Sequence, residues 1–421
     1  RHTEGDKNCI PSIIQSYQFL WYQSSCFAPT VLSSTIMSLE WLATALEKKL
    51  GVRPTIGQSG PISEGSHGYM AQIRRIHLQW PIQKDDLPKT VVVKCPVAGS
   101  AADAWLEAQG GGGDMGGEER AKAAADNANN MKKVQEMCHT AESQVYALFD
   151  ESYPAPCPMP KTYAAFGLNH DHPSIVMEDI TGATITDIVH GWTEKQLYTI
   201  LDSIISLHVM SFTTEKWKTF EIDEDQEMMD NFTNMANAFA TQILQHASLP
   251  CLEKVQKNIL KNGDWFKGMY DKYKSHPLAV LVHGDMWAPQ FLWRGDTLAA
   301  IIDWQLTHAG SVMEDFLRLV PLGVSPSIRS RITPTLLQYY YTQLSSKLAD
   351  KGVKTPFSFE QMMDEYKSSL PYAAGMAIFA FSMWSNSPVL KSGKSDDDAR
   401  IAEMFSRMTS ILEECVEACG W

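Results

Sequence analysis

In LVHGDMWAPQFLWRGDTLAAIIDWQ, residues 281–305, two aspartates close runs of apolar residues that read as buried strand. Desolvating an ionised carboxylate costs several kcal/mol unless it is paired, hydrogen-bonded or bound to a metal. A chain that places Asp285 and Asp303 in this way must build partners around them. VHGD ends a strand-like run and turns at Gly284, which puts Asp285 on a loop, where functional side chains often sit. IIDW delivers Asp303 at the end of a second run, and LWRGDTLAA between them reads as strand, Gly-Asp turn, strand. Such a hairpin is expected to bring both acids to one end of a sheet. Two close carboxylates repel unless a cation or a proton lies between them, and a hard cation such as Mg2+ takes oxygen ligands. Taken alone, Asp285 reads as well as a turn or capping aspartate. The apolar run before Asp303 argues against a merely structural role there.

Upstream, KTVVVKCPV (89–97) is a short β-branched run with Lys94 embedded in it. Such a lysine either solvates an edge strand or is a buried cation with an anionic partner. Glu142, in HTAESQVYALFD, has Val145 and Tyr146 three and four residues on, which turns it toward the inner face of a helix and within reach of Lys94. The turn SEGSHGY contains Gly65, Ser66, His67 and Gly68, and its two glycines would let backbone N–H groups approach phosphate oxygens. Two other glycine-bearing stretches fail as phosphate loops. QGGGGDMGGE lacks a strand before it and a helix N-terminus after it, and SGKS (392–395) has Pro388 where the first glycine of a Walker motif belongs.

In chain order these residues are a glycine turn, a strand lysine, a helix glutamate, a connector near 178–182, an Asp loop and a second Asp. Phosphoryl transfer of the protein-kinase type uses these parts in this order. The lysine holds the ATP phosphates, the glutamate fixes the lysine, one Asp receives the acceptor proton, and the other holds Mg2+.

HGDMWAPQFLW followed by IIDWQ resembles the HGDxxxxN and IDW/IDxQ motifs of the aminoglycoside phosphotransferase and choline kinase superfamily. HGDMW, DWQ and VMEDI together are most similar to the ecdysteroid kinase-like (CHK kinase-like) proteins. The resemblance covers roughly residues 37–420. It implies that Asp285 is catalytic, that Asp303 binds metal, and that His283 supports the loop by hydrogen bonding. It further implies a Lys94–Glu142 pair, adenine held by the backbone of VMEDI (Glu178 and Ile180), and Asp315 tying down the catalytic loop. One position departs from the motif: its metal-binding Asn falls on Gln290, whose extra methylene displaces the carbonyl oxygen that Mg2+ would need. The fold implied is α+β and bilobal, protein-kinase-like, with a small N-terminal antiparallel sheet plus helix and a large, mostly helical C-terminal lobe.

The domain expectation is an N-terminal extension over 1–36, an N-lobe over 37–178 with a Gly-rich insertion at 98–118, and a C-lobe over 179–421. Within the N-lobe, helices are expected from Met37 to Leu50 and from Lys122 to Asp150. A formal charge of -13 excludes a generic nucleic-acid-binding surface. No apolar run reaches the ~20 residues of a membrane span, and YAAGMAIFAFSMW (372–384) reads as a buried helix. Eight cysteines without a CxxC pair read as reduced thiols rather than metal ligands, in a cytoplasmic protein. The expected function is ATP-dependent phosphorylation of a small-molecule acceptor, a steroid, glycoside or xenobiotic-like alcohol. The alternatives are choline, ethanolamine or an amino sugar as acceptor, or a catalytically silent binding protein. Trp287, Trp293, Trp304, Trp384 and Tyr339 to Tyr341 are candidates for the acceptor side, although large aromatics are more often core.

Overall fold

The computed structural model describes residues 39–62, 71–96, 117–149, 153–220, 226–263 and 265–421. The first helix, α1 (Glu40–Leu50), buries Leu42 and Leu46 and stops at Gly51, which takes the left-handed conformation (φ 75°) that a C-terminal glycine favours. Five strands follow in one sheet: β1 (Thr55–Pro61), β2 (Gln72–Gln79), β3 (Thr90–Cys95), β4 (Thr162–Phe166) and β5 (Ser174–Glu178). Their spatial order is β1-β2-β3-β5-β4, and every pairing is antiparallel. Between β3 and β4 runs the long helix α2 (Gly117–Leu148). It begins ahead of the expected Lys122, because EERAKAAA is built of strong helix formers, which an apolar-periodicity signal does not register.

Strand parity determines what β3 presents. Val91 and Val93 face a small cluster with Leu42 and Leu46 of α1. Val92 faces the main core beside Met137 and Val145 of α2. Side chains alternate along a strand, so Lys94 points the same way as Val92, toward α2. On α2, Cys138, Val145 and Tyr146 are buried around Glu142, which places the glutamate on the inner face.

The C-terminal region is largely helical: α3 (Glu194–Thr213), α4 (Gln226–His246), α5 (Pro250–Asn258), α6 (Trp265–Tyr273), α7 (Glu314–Gly323), α8 (Pro326–Ala349), α9 (Phe359–Ser385) and α10 (Asp397–Cys419). The apolar stretch 372–384 lies within α9 and is mostly buried against α10 and its neighbours. No helix among the described residues is long and apolar enough to cross a membrane. Four short strands interrupt the helices: β6 (Val280–Val282), β7 (Phe291–Arg294), β8 (Thr297–Ile301) and β9 (His308–Gly310). The chain thus has the α+β, protein-kinase-like architecture: a small antiparallel sheet with a lysine-bearing third strand and an adjoining helix, followed by a mostly helical region.

The expected single sheet around the two aspartates needs correction. The hairpin β7–β8 forms around the Gly295-Asp296 turn, but β6 pairs with β9 instead. Asp285 and Asp303 therefore leave two different two-stranded sheets and meet through their loops.

Candidate active site

The cluster is assembled from four segments. Lys94 Nζ lies 2.6 Å from Glu142 Oε2 and also bonds Asp303 Oδ1. Gln290 Nε2 donates to Asp303 Oδ2 at 3.0 Å and to Asp285 Oδ2 at 3.2 Å. One chain of contacts thus joins α2, β3, the turn after β8 and the loop after β6. The Lys94 side chain is 9% exposed and that of Asp303 25%.

Electrostatics follow from two carboxylates sharing one ammonium. Burial alone would lower the proton affinity of Lys94, but Asp303 and Glu142 more than reverse this and hold it above the ordinary lysine range. Burial pushes Glu142 up to about 7, against the pull of Lys94. Asp303 resists its own burial because Lys94 and Gln290 stabilise the ionised form, and its pKa falls below the usual carboxylate value. The two carboxylates offer oxygens suited to a hard cation such as Mg2+, while Gln290 presents its amide N–H groups to both.

The loop carrying Asp285 is braced from below. Asp315, on the first turn of α7, accepts from the N–H of His283 at 2.8 Å and of Gly284 at 2.9 Å. Burial raises the pKa of Asp315 above the usual aspartate value. His283 Nε2 meets the Ile302 carbonyl at 3.0 Å and so ties the Asp285 loop to the strand that delivers Asp303.

In the connector, the Glu178 N–H donates to the Lys161 carbonyl at 2.8 Å. Asp179, unremarked in the sequence reading, accepts from Arg75 Nη2 at 2.9 Å and from Thr90 Oγ1 at 2.8 Å. Those contacts fix the connector, which includes Ile180, to β2 and β3. Gly65, Ser66, His67 and Gly68 lie outside the described residues, as do residues 1–38 and most of the Gly-rich stretch. In the SGKS stretch the Gly393 N–H donates to Asp397 at 2.7 Å, so that donor is already taken within the chain.

A functional neighbour was missed. Arg318 donates to Asp285 Oδ1 from Nη2 at 2.7 Å and from Nε at 3.2 Å. The only available signal was its spacing from Asp315, three residues along the same helix, which turns both toward one loop. The aromatic candidates divide. Trp293 and Trp304 are buried in the core. Tyr339, Tyr340 and Tyr341 bond Asp202, His208 and the Phe357 carbonyl. Trp287 and Trp384 line a crevice beside Arg318. The six described cysteines are free, and no group of three or more His, Cys, Asp or Glu among the described residues could hold a metal ion.

Known proteins resemble this chain along most of its length. "Uncharacterized kinase-like protein D1044.1" from Caenorhabditis elegans is 26% identical over 309 residues, covering 69% of this chain and 79% of that one. "Uncharacterized oxidoreductase dhs-27", also from Caenorhabditis elegans, is 25% identical over 251 residues, which is 57% of this chain and 30% of that protein's length. The chain therefore spans about a third of the latter relative. Among solved structures, it is similar to choline kinase LicA from Streptococcus pneumoniae, with 13% identity, a TM-score of 0.37, and 88% of this chain and 98% of that chain covered. The model of the family DUF1679, described as "Uncharacterized oxidoreductase dhs-27", matches residues 31–419, and the chain belongs to that family.

Proposed function

We propose that the chain is an ATP-dependent small-molecule kinase of the ecdysteroid kinase-like (CHK kinase-like) type, which transfers the γ-phosphate of ATP to an alcohol. The observation that supports it is the connected cluster Glu142–Lys94–Asp303–Gln290–Asp285, which brings together the residue types that phosphoryl transfer uses. On this reading residues 37–178 bind the nucleotide and 179–421 carry the catalytic loop and the acceptor site. The free thiols suit a reducing, cytoplasmic setting.

Lys94 exchanges Asp303 for phosphate oxygens and keeps Glu142 as its anchor. The Glu178 carbonyl and the Ile180 N–H face adenine. Asp303 and Gln290 are the residues that would hold Mg2+, which supplies charge neutralisation across the phosphates. Asp285 orients the acceptor hydroxyl and takes its proton. A bond forms between the acceptor oxygen and the γ-phosphorus, the bond to the β–γ bridging oxygen breaks, and ADP leaves. The acceptor class suggested by the resemblance is a steroid, glycoside or xenobiotic-like alcohol.

The word oxidoreductase in the name of one relative has no counterpart in the described sheets. Their pairings are all antiparallel, whereas a dinucleotide crevice of the doubly wound kind needs parallel strands. A second reading, a nucleotide-binding protein without turnover, has one observation in its favour: Gln290 turns its amide N–H groups, not its carbonyl, toward both acids.

The test is a thermal-unfolding titration with ATP, with and without Mg2+, followed by ADP release over a panel of alcohols. Saturation at a hundred times Kd adds about 2.7 kcal/mol to the native state, so a Mg2+-dependent rise in midpoint is expected. Asp285→Asn is expected to keep that rise and to lose turnover. Wild-type rates in Asp285→Asn would remove Asp285 from the role, and no rise with any nucleotide would remove the kinase reading.

A further inference from the structure

The kinase reading leaves Arg318 without a task. Its Nη2 and Nε hold one oxygen of Asp285, while Gln290 holds the other. The carboxylate is thereby held through one oxygen by Gln290 and through the other by a guanidinium. The Arg318 side chain is 9% exposed, yet its Nη1 is buried with no hydrogen-bond partner. Buried charged donors left unmet are rare in proteins and call for an explanation, such as a group from outside the chain that completes them.

Arg318 lines two narrow crevices. Trp287 and Trp384 line the first, and Glu314, Tyr372 and Met376 the second. The two tryptophans stack with centroids 5.0 Å apart and planes at 19°, and Arg318 Cζ lies 5.7 Å from the Trp384 centroid. The first crevice has no carboxylate in its described lining. In the second, Glu314 Oε1 lies 3.1 Å from His308 Nε2.

Resting on the kinase reading, we propose that Arg318 is the specificity-determining residue of the acceptor site. Its Nη1 receives an oxygen of the acceptor, and its charge confines acceptors to uncharged or acidic alcohols and rejects cationic ones. A hydroxyl in hydrogen-bond reach of Asp285 brings the rest of its molecule up against this guanidinium. An ammonium on that molecule would meet a like charge in a water-poor crevice, and such juxtaposition is how sites exclude wrong partners. A carboxylate, carbonyl or hydroxyl oxygen completes the fork of donors instead. Trp287 and Trp384 offer a flat apolar wall for the remainder. Choline, ethanolamine and amino sugars fall outside this class.

The experiment measures ADP release by the full chain with Mg–ATP over three sets of alcohols. The sets are cationic (choline, ethanolamine, kanamycin), uncharged (sterols, glycosides) and acidic (hydroxy acids, glucuronides). Turnover is expected in the second and third sets alone. Arg318→Ala is expected to raise KM for an accepted alcohol about 10- to 100-fold, the effect of one charge-assisted hydrogen bond, and to lower kcat as well, because Asp285 loses the partner of its Oδ1. Arg318→Lys, which keeps the charge without the fork, is expected to keep cations excluded and to recover only part of KM. Turnover of a cationic alcohol by the wild type overturns the proposal. So does an Arg318→Ala that lowers kcat at constant KM, because the guanidinium would then serve the phosphoryl group. Failure of the kinase reading looks different: Mg–ATP would leave the thermal midpoint unmoved. Where Mg–ATP binds and turnover is too slow to follow, midpoints of the Mg–ATP-loaded protein decide. A rise with choline or kanamycin overturns the assignment, and a rise with an acidic or uncharged alcohol that Arg318→Ala abolishes supports it.

Discussion

Asp303 has φ 66° and ψ 56°, the left-handed conformation, alone among the described non-glycine residues. Aspartate tolerates this region better than most residues, but holding it there costs of order 1–3 kcal/mol, and such strain concentrates at functional sites. Here it turns the carboxylate back so that one oxygen meets Lys94 and the other Gln290. Gln290 in turn spans both acids, at 3.0 and 3.2 Å, a span that the shorter asparagine side chain cannot make without backbone movement. Gln290→Asn is therefore expected to lower the rate of ADP release and the thermal midpoint of the nucleotide-free protein. A rate above wild type would instead mark glutamine as a compromised metal ligand. At this scale legibility depended on anomaly. Lys94, Asp285 and Asp303 stood out because a charge inside or ending an apolar run needs a partner, and the structure supplies one for each. The direction in which Gln290 turns its amide, and the pairing of Arg318 with Asp285, leave no such mark. A polar residue on a loop or a helix breaks no pattern, and its partner is decided only when the fold brings distant segments together.

The loop between β6 and β7 shows why an element must be read with its supports. Gly284 adopts φ 81°, and a Cβ there would collide with the Leu306 carbonyl and come within 3.2 Å of the Leu306 Cβ. Only glycine lets the chain turn here while its N–H, with that of His283, reaches Asp315. Gly284→Ala is expected to shift Asp285 and to lower kcat about 100-fold, the usual effect of displacing a catalytic group by an ångström. The Kd for Mg–ATP is expected to move far less, because Lys94 and Glu142 lie on other elements. Unchanged kcat would show that the loop does not set the position of Asp285. The turn and both strands of the β7–β8 hairpin were readable from apolar runs broken by Gly-Asp. The pairing of β6 with β9 was not, because β9 is only three residues long (His308–Gly310) and carries no alternation from which a strand could be recognised.

Across the whole molecule, the helical region is held by polar contacts between residues far apart in sequence, which no local pattern announces. Arg407 on α10 donates to the carbonyls of Ile188 and Leu322 at 3.0 Å each and binds Glu403 at 2.7 Å, joining the last long helix to the segment before α3 and to α7. His208 on α3 and Tyr340 on α8 are both fully buried and meet at 2.6 Å, while His208 Nε2 has no partner at all. Burial drives the His208 pKa down to about 3, so the folded chain keeps this imidazole neutral where the unfolded chain, at about 6.5, takes up a proton. The unfolded state then binds more protons between these two values, and stability rises with pH across that window. This contribution is complete above about pH 6.5 and is lost as pH falls toward 3, by up to about 1.4 kcal/mol per unit. Between pH 7 and pH 5 the loss amounts to about 2 kcal/mol. Buried carboxylates and His139 add their own dependence, so the informative quantity is the difference between wild type and His208→Gln in urea unfolding at the two pH values. The variant is expected to be less stable at pH 7 but to lose about 2 kcal/mol less on acidification. Parallel losses in the two proteins would mean that His208 becomes charged inside the fold, with Tyr340 and the surrounding helices rearranging to accommodate it.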